Sequence, residues 1–357
     1  VVKPLGYPVE VHKITTEDGY ILTFFRIQAK NKKKLESGLP VVYLQHGLID
    51  SADSWVINGD NAPGLRLADE GYDVWLGNSR GNKYSMEHLR LSPKDKKFWQ
   101  FSFQHMAQYD LPAAFAYINK NTGGQLINYI GHSQGTTIMF AALSERDPTV
   151  TKYLRKYIAL SPVAWVAHVK CGIIYLSAYT PLPELYEAFH LYYCAPPNFL
   201  DSTVGHVYCK AFPKTCGYFM SYFYGTDPEH DNYDIYNVML QHFPSGTSVF
   251  NIRHWRQLAL ENKFNKYDYG IHGNMEHYNQ TYPPDYNVSN INVPMHLFFG
   301  YDDNMVSEKD STKLLKALQG DPGMKFKEYP ADHLTFLLSK DLSFFFGDLL
   351  DILKSDE

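Results

Sequence analysis

Gly131-His132-Ser133-Gln134-Gly135 stands between an apolar, β-branched run, Leu126–Ile130, and a helical pattern that begins near Thr136. Strand, sharp turn and helix make the setting a serine nucleophile needs. Glycines flank the turn where side chains would collide, and the Ser133 Oγ is left at the sheet edge, open to a substrate. A serine hydroxyl is a poor nucleophile until a base takes its proton, and for this kind of turn the chain order is Ser, then acid, then His. Fifteen histidines are present. Only His296 and His333 fall among the strands that return after residue 290, and His296 sits inside the apolar run Met295–Phe299. His333 follows the run Lys325–Tyr329 in a loop able to reach Ser133, and is the expected base.

The acid must hold the imidazole tautomer and stabilise the imidazolium formed during attack. Gly300-Tyr301-Asp302-Asp303-Asn304-Met305-Val306 supplies two adjacent carboxylates. Asp303 and Asp302 are the two candidates for the acid, and because side chains at a strand end alternate in direction both cannot readily face His333. Asp110 precedes the nucleophile, so it is out of order and expected to be structural. His46-Gly47-Leu48 follows the run Val41–Gln45, the place from which one oxyanion-hole amide is donated. The second amide comes from the residue after the nucleophile, so the donors expected are the backbone N–H groups of Leu48 and Gln134. Each piece has a plain reading alone: a turn with a serine helix cap, a loop imidazole, a strand-ending turn. Their coincidence in order and spacing points to acyl transfer.

Elements must then position these groups. Strand-like runs recur at Tyr20–Ile27, Val41–Gln45, Tyr72–Leu76, Leu126–Ile130, Tyr157–Leu160, Met295–Phe299 and Lys325–Tyr329. Helical patterns such as Phe103–Ile118 and Thr136–Leu143 lie between them, the alternation of an α/β fold with a mostly parallel sheet flanked by helices. The first run is expected in an N-terminal hairpin at the sheet edge. From 165 to 290 the alternation fails, and Pro, Tyr, Cys and His accumulate around amphipathic patches at Ile173–Tyr193 and Asn251–Leu260. This segment is expected to be an inserted, mainly helical cap or lid. Residues 1–164 and 291–357 then form the two parts of the core. All four cysteines, Cys171, Cys194, Cys209 and Cys216, lie in the insertion, and an even set permits three disulfide pairings.

Composition narrows the class. With 33 basic and 38 acidic residues the net charge is -5, which lacks the basic surface a nucleic-acid partner would require. No apolar run is long enough for a membrane span, and Val1-Val2-Lys3-Pro4 does not read as a signal peptide, so a soluble, already processed chain is expected. No zinc spacing, Walker loop or dinucleotide glycine pattern appears; no metal and no cofactor are expected. Aromatic residues reach 15%, including 28 Tyr and 22 Phe, for which an aromatic-rich core is the favoured explanation and a half-wet apolar pocket the other. Asn279-Gln280-Thr281 and Asn287-Val288-Ser289 are glycosylation sequons.

The chain closely resembles the acid lipase family, which includes gastric and lysosomal acid lipases and their insect relatives. The matching stretches are Leu44–Leu48, Tyr72–Asn82, Gln108–Ala113 and Gly131–Thr137. The likeness continues through Pro244–Val249 and Pro283–Val288 to His333-Leu334, so it spans essentially the whole chain. It implies the α/β-hydrolase fold, in which the acid often lies three residues after a glycine, as Asp303 does after Gly300. It also implies a secreted or lysosomal esterase of neutral lipids, triacylglycerol or steryl ester, acting at a lipid interface without spanning it. Cys209 and Cys216 resemble the family's cap disulfide at altered spacing, while Cys171 and Cys194 look additional and could form another. Departures are Asn304, where a bulky residue is common, and Thr335, where an Asp is common. Competing expectations are a non-lipolytic esterase or acyltransferase with the same triad, and an inactive lipid-carrying or storage protein on the same fold.

Overall fold

The computed structural model describes residues 1–32, 34–171, 179–197, 202–225, 227 and 229–355. Its main sheet runs through β1 (Val9–Thr15), β2 (Tyr20–Ile27), β3 (Val41–Gln45), β4 (Asp73–Leu76), β5 (Ile127–His132), β6 (Leu154–Leu160), β7 (Met295–Gly300) and β8 (Met324–Tyr329). The spatial order is β1-β2-β4-β3-β5-β6-β7-β8, with the short strand Glu87–His88 pairing β2. β1 and β2 form the antiparallel edge hairpin, and the pairings from β4 across to β8 are all parallel. Each strand-like run is therefore a strand, two of them with both ends as expected and none with an end moved by more than three residues. β3 and β5 are buried along their whole length, as central parallel strands covered on both faces must be.

Alternation along these strands builds two cores. Tyr43, Tyr129 and Tyr157 stand side by side on one face with Phe115 and Phe140, while Leu44, Ile130, Ile158 and Phe298 fill the other. Neighbouring rings of the tyrosine row are 5.1 and 5.9 Å apart. Much of the aromatic surplus is thus core. The hydroxyls are nevertheless used: Tyr129 donates to Gly135 O at 2.7 Å and Tyr157 to Thr136 O at 2.9 Å. Both acceptors lie in the first turn of the helix that follows Ser133, so the tyrosine row anchors that helix as well as packing beneath it.

The helical pattern at Phe103–Ile118 is a helix with a widened turn. Phe103–His105 leads into Met106–Asp110, where Leu111 N–H reaches back to Met106 O, and α1 (Leu111–Asn121) follows. Pro112 accounts for the wide turn, since its ring crowds the carbonyl four residues earlier and it lacks an N–H. The helix after the serine turn is α2 (Gln134–Ser144).

Between β6 and β7 the described chain adds no strand to the main sheet. It forms α3 (Leu182–Ala188), α4 (Ser202–Ala211), α5 (Pro213–Tyr224), α6 (Tyr236–His242), α7 (Val249–Glu261) and α8 (Gly270–Tyr278), with a two-stranded pair, Tyr193–Cys194 and Thr247–Ser248. The first part of the helical patch at Ile173–Tyr193 lies outside the described residues. A Cys209–Cys216 disulfide closes the α4–α5 turn, with Cα atoms 5.1 Å apart and Pro213 opening α5. The second disulfide envisaged from sequence does not form: Cys171 and Cys194 keep their thiols. Different partners hold them, since Cys194 pairs with Thr247 in the short sheet and the Cys171 N–H donates to Asn304 O.

Asp110 holds a buried charge. Arg80 is 1% exposed; its Nε donates to Asp110 Oδ1 at 2.8 Å, and its two terminal nitrogens reach Asp18 at 2.6 and 2.9 Å. The two carboxylates together satisfy the guanidinium. Asp110→Ala would strand part of that charge, and is expected to lower the unfolding free energy in denaturant by about 3–5 kcal/mol; a loss below about 1 kcal/mol would show that Asp18 suffices alone.

Candidate active site

Ser133 sits at φ 52° and ψ −121°, a left-handed conformation that costs a non-glycine residue on the order of 1–3 kcal/mol. Its neighbours leave no slack. A Cβ on Gly131 would fall 2.8 Å from the Gly135 carbonyl carbon, and one on Gly135 would fall 2.5 Å from Gln45 O. The end of β5 therefore folds directly onto the start of α2, which in turn presses on the end of β3. Ser133 N–H donates to Leu160 O at 3.1 Å, and Ser133 O opens α2 by accepting from Thr136 N–H at 2.8 Å.

The loops beyond β7 and β8 bring Asp303 and His333 together. His333 Nδ1 donates to Asp303 Oδ2 at 2.8 Å, with both side chains 3% exposed or less. The other carboxylate oxygen accepts from the N–H groups of Met305 at 2.7 Å and Val306 at 3.0 Å. Three donors thus converge on Asp303, while Asp302 is exposed and contributes its backbone N–H to Ala331 O. His132 Nε2 donates to His333 O at 2.7 Å, so the residue before Ser133 grips the backbone of the imidazole. Among the described contacts, Ser133 Oγ and His333 Nε2 are not hydrogen-bonded to each other. Such bonds are often long in resting enzymes and tighten when substrate is bound.

Gly47 closes the site from the β3 side. A Cβ there would lie 3.1 Å from Ser133 Cβ and 3.5 Å from its Oγ, so the loop carrying Leu48 rests against the serine. His46 shapes this loop. Its Nε2 accepts the Ser79 N–H at 3.0 Å, so the ring proton is on Nδ1, which donates to Gly47 O at 2.8 Å. Burial holds this imidazole down at about 4 and therefore neutral near pH 7. Because the C=O and N–H of a trans peptide point opposite ways, pinning Gly47 O sets the direction of the Leu48 N–H. Gln134 begins α2, where N–H groups have no acceptor within the helix. Its side-chain oxygen accepts from Asn251 and Trp255 of α7, both at 2.8 Å.

Asp332, beside His333, was not anticipated. Its Oδ1 accepts from the N–H groups of Leu334 and Thr335 and from the Thr335 hydroxyl, and burial with the neighbouring Asp303 charge pushes its pKa up to about 6. Thr335, one of the departures from the acid lipase pattern, thus helps shape the turn that carries His333. His46 and His132 stood inside stretches already singled out. Their positioning bonds left no trace in spacing, because both run to backbone carbonyls.

Comparison with known proteins agrees with this architecture. Residues 1–59 match a family model described as a partial alpha/beta-hydrolase lipase region, and residues 40–170 match the alpha/beta hydrolase fold. The chain is 40% identical to gastric triacylglycerol lipase of Rattus norvegicus over 94% of its length and 86% of the relative's. It is 39% identical to the Homo sapiens enzyme of that name, over 99% and 89%, and 38% identical to human lipase member K, over 96% and 86%. Among solved structures, a soluble variant of monoglyceride lipase from Saccharomyces cerevisiae superposes with a TM-score of 0.55 at 16% identity, covering 97% of this chain and 96% of that one, a likeness of fold alone. Sheet order, the serine turn and these relatives lead to one conclusion: the chain belongs to the α/β-hydrolase lipase family that includes the gastric lipases, and is a carboxylic-ester hydrolase.

Proposed function

We propose that Ser133, His333 and Asp303 are the catalytic triad of a secreted or lysosomal lipase that cleaves neutral lipid esters, triacylglycerol or steryl ester, through an acyl-enzyme. The observation that carries this reading is the buried His333–Asp303 hydrogen bond of 2.8 Å beside a serine in the strained conformation of a nucleophile turn. Asp303 holds the proton on Nδ1, so His333 Nε2 is left to take the Ser133 proton as Oγ attacks the ester carbonyl. The Leu48 and Gln134 N–H groups stabilise the oxyanion. The imidazolium then protonates the departing alcohol, and water repeats the sequence to release the acid.

Residues 165–290 act as a cap over this site, flanked by core at 1–164 and 291–357. Leu185, Phe189 and Leu191, with Tyr208, Phe212 and Tyr218, are large apolar or aromatic residues left exposed on it, a surface suited to a lipid interface. No described helix is long and apolar enough to cross a membrane. Asn279 and Asn287 are exposed, as glycan acceptors must be, and support passage through the secretory pathway.

Ser133→Ala should abolish labelling by a fluorophosphonate and lower ester turnover by on the order of 10⁴- to 10⁶-fold with the fold intact by circular dichroism. Retained turnover of an emulsified long-chain ester would end the assignment. On one soluble ester, Asp303→Asn should cost up to about 10⁴-fold in kcat, by analogy with serine proteases, and Asp302→Asn little; the reverse ranking would move the acid. For His46, Gln places no donor at Gly47 O and is expected to lose about 100-fold in kcat, whereas Asn keeps a donor near the Nδ1 position and should retain most activity. Equal losses in the two variants would show that Gly47 O needs no such donor.

A further inference from the structure

Backbone pairing of β7 with β8 runs on into the two catalytic loops only briefly. Tyr301 N–H donates to Tyr329 O at 3.0 Å and Asp302 N–H to Ala331 O at 3.1 Å. Asp303 and His333 lie past the last of these bonds, where a residue of the cap takes over. The Tyr224 carbonyl, at the end of α5, accepts from Asn304 N–H at 3.3 Å and from His333 N–H at 3.1 Å. One oxygen thereby ties the residue after the acid to the base. Gly225 then forms an antiparallel bridge with Asp303.

The approach is so close that only glycine fits. Gly225 has φ 112°, and a Cβ on it would lie 1.9 Å from Asp302 O and 2.9 Å from Asp332 Cβ. The Tyr224 ring lies 10° from parallel to the His333 imidazole, with centroids 6.5 Å apart. Further contacts keep the same limb of the cap in place. Lys170 and Cys171 N–H groups donate to Asn304 O at 3.0 and 3.2 Å, and His230 O accepts from Lys340 N–H at 2.9 Å and from the Ser339 hydroxyl at 3.1 Å.

We propose that Tyr224–Gly225 is a positioning element of the triad, a cap-derived splint that fixes the acid loop relative to the base loop and stays seated when the outer cap moves. The proposal rests on the assignment of Asp303 and His333 as acid and base. It divides the cap by function: the α4–α5 turn carries exposed Tyr208, Phe212 and Tyr218 and is available to move, while the C-terminal end of α5 belongs to the catalytic scaffold. The cap could not then be deleted, or swung away as one body, without loosening the triad.

Gly225→Ala tests this, with Gly270→Ala as control, since Gly270 also has a positive φ, 76°, but nothing within 4 Å of its Cβ position. In Gly225→Ala, kcat on a soluble ester should fall about 100-fold with KM little changed, and the downfield proton resonance of His333 Nδ1–H should shift or broaden. Gly270→Ala should leave both as in the parent. A folded Gly225→Ala protein with parental kcat and an unmoved resonance would overturn the proposal. Should that variant fail to fold, hydrogen exchange of the unaltered enzyme decides. With detergent micelles present, fragments carrying the Asn304 and His333 amides should stay slow while 207–222 speeds up; equally fast exchange of both in fully active enzyme would refute a seated splint. The ring-proton signal and amide exchange remain readable in Ser133→Ala, so a wrong nucleophile and a wrong splint give different results.

Discussion

The left-handed turn at Ser133 is the constraint from which the rest of the site follows. A serine at φ 52° is unfavourable unless its surroundings allow nothing else. Here backbones meet without room for a side chain at Gly131 against Gly135 and at Gly135 against Gln45, while Gly47 lies close against the Ser133 side chain. Tyr129 and Tyr157 complete the confinement from below, bonding the first carbonyls of α2 while their rings fill the core. The energy that holds Ser133 in this conformation comes from a packed parallel sheet, and the site inherits its rigidity.

Around this point the supporting bonds run largely from side chains to backbone. His46 sets a peptide through Gly47 O, His132 holds His333 through its carbonyl, and Asp332 gathers the amides of the loop that follows. Burial keeps His46 and His132 neutral near pH 7, with pKa values lowered to about 4 and about 3. Neutrality matters because each ring then has one donor and one acceptor nitrogen, and the direction of each bond is settled. These imidazoles serve as fixed hydrogen-bonding groups in which a change of charge would undo the geometry.

The segment between β6 and β7 is joined to the main sheet at the proposed catalytic residues themselves. Gln134, the proposed second oxyanion donor, is gripped through its side chain by Asn251 and Trp255, and the loops of Asp303 and His333 both bond to Tyr224 O. In the proposed reading, substrate access and triad geometry are governed by neighbouring parts of one insertion. The exposed aromatic residues lie on other parts, where movement would disturb fewer of these bonds.

What the sequence by itself determined was local in character. Strand runs from Tyr20 to Tyr329, the helix after Ser133, and the glycine-flanked turn are written in short-range periodicity and in residues whose backbone freedom is distinctive. The order proposed for Ser133, Asp303 and His333 could also be set out from sequence, because the serine turn comes with a fixed chain order in which the acid and then the base follow it. Alternation at a strand end showed only that Asp302 and Asp303 could not both face one imidazole; the preference for Asp303, like the pairing of Cys209 with Cys216, came from family resemblance. Only tertiary structure decided the rest. Cys171 and Cys194 could have paired by number, yet both keep their thiols, with the Cys171 backbone bonded to Asn304 and that of Cys194 paired with Thr247. Tyr224 and Gly225 carry no motif, since their role depends on a carbonyl and on the absence of a Cβ roughly 80 to 110 positions from the groups they hold. A contact made by backbone to backbone leaves the choice of most side chains free, so it becomes visible only once the chain is folded.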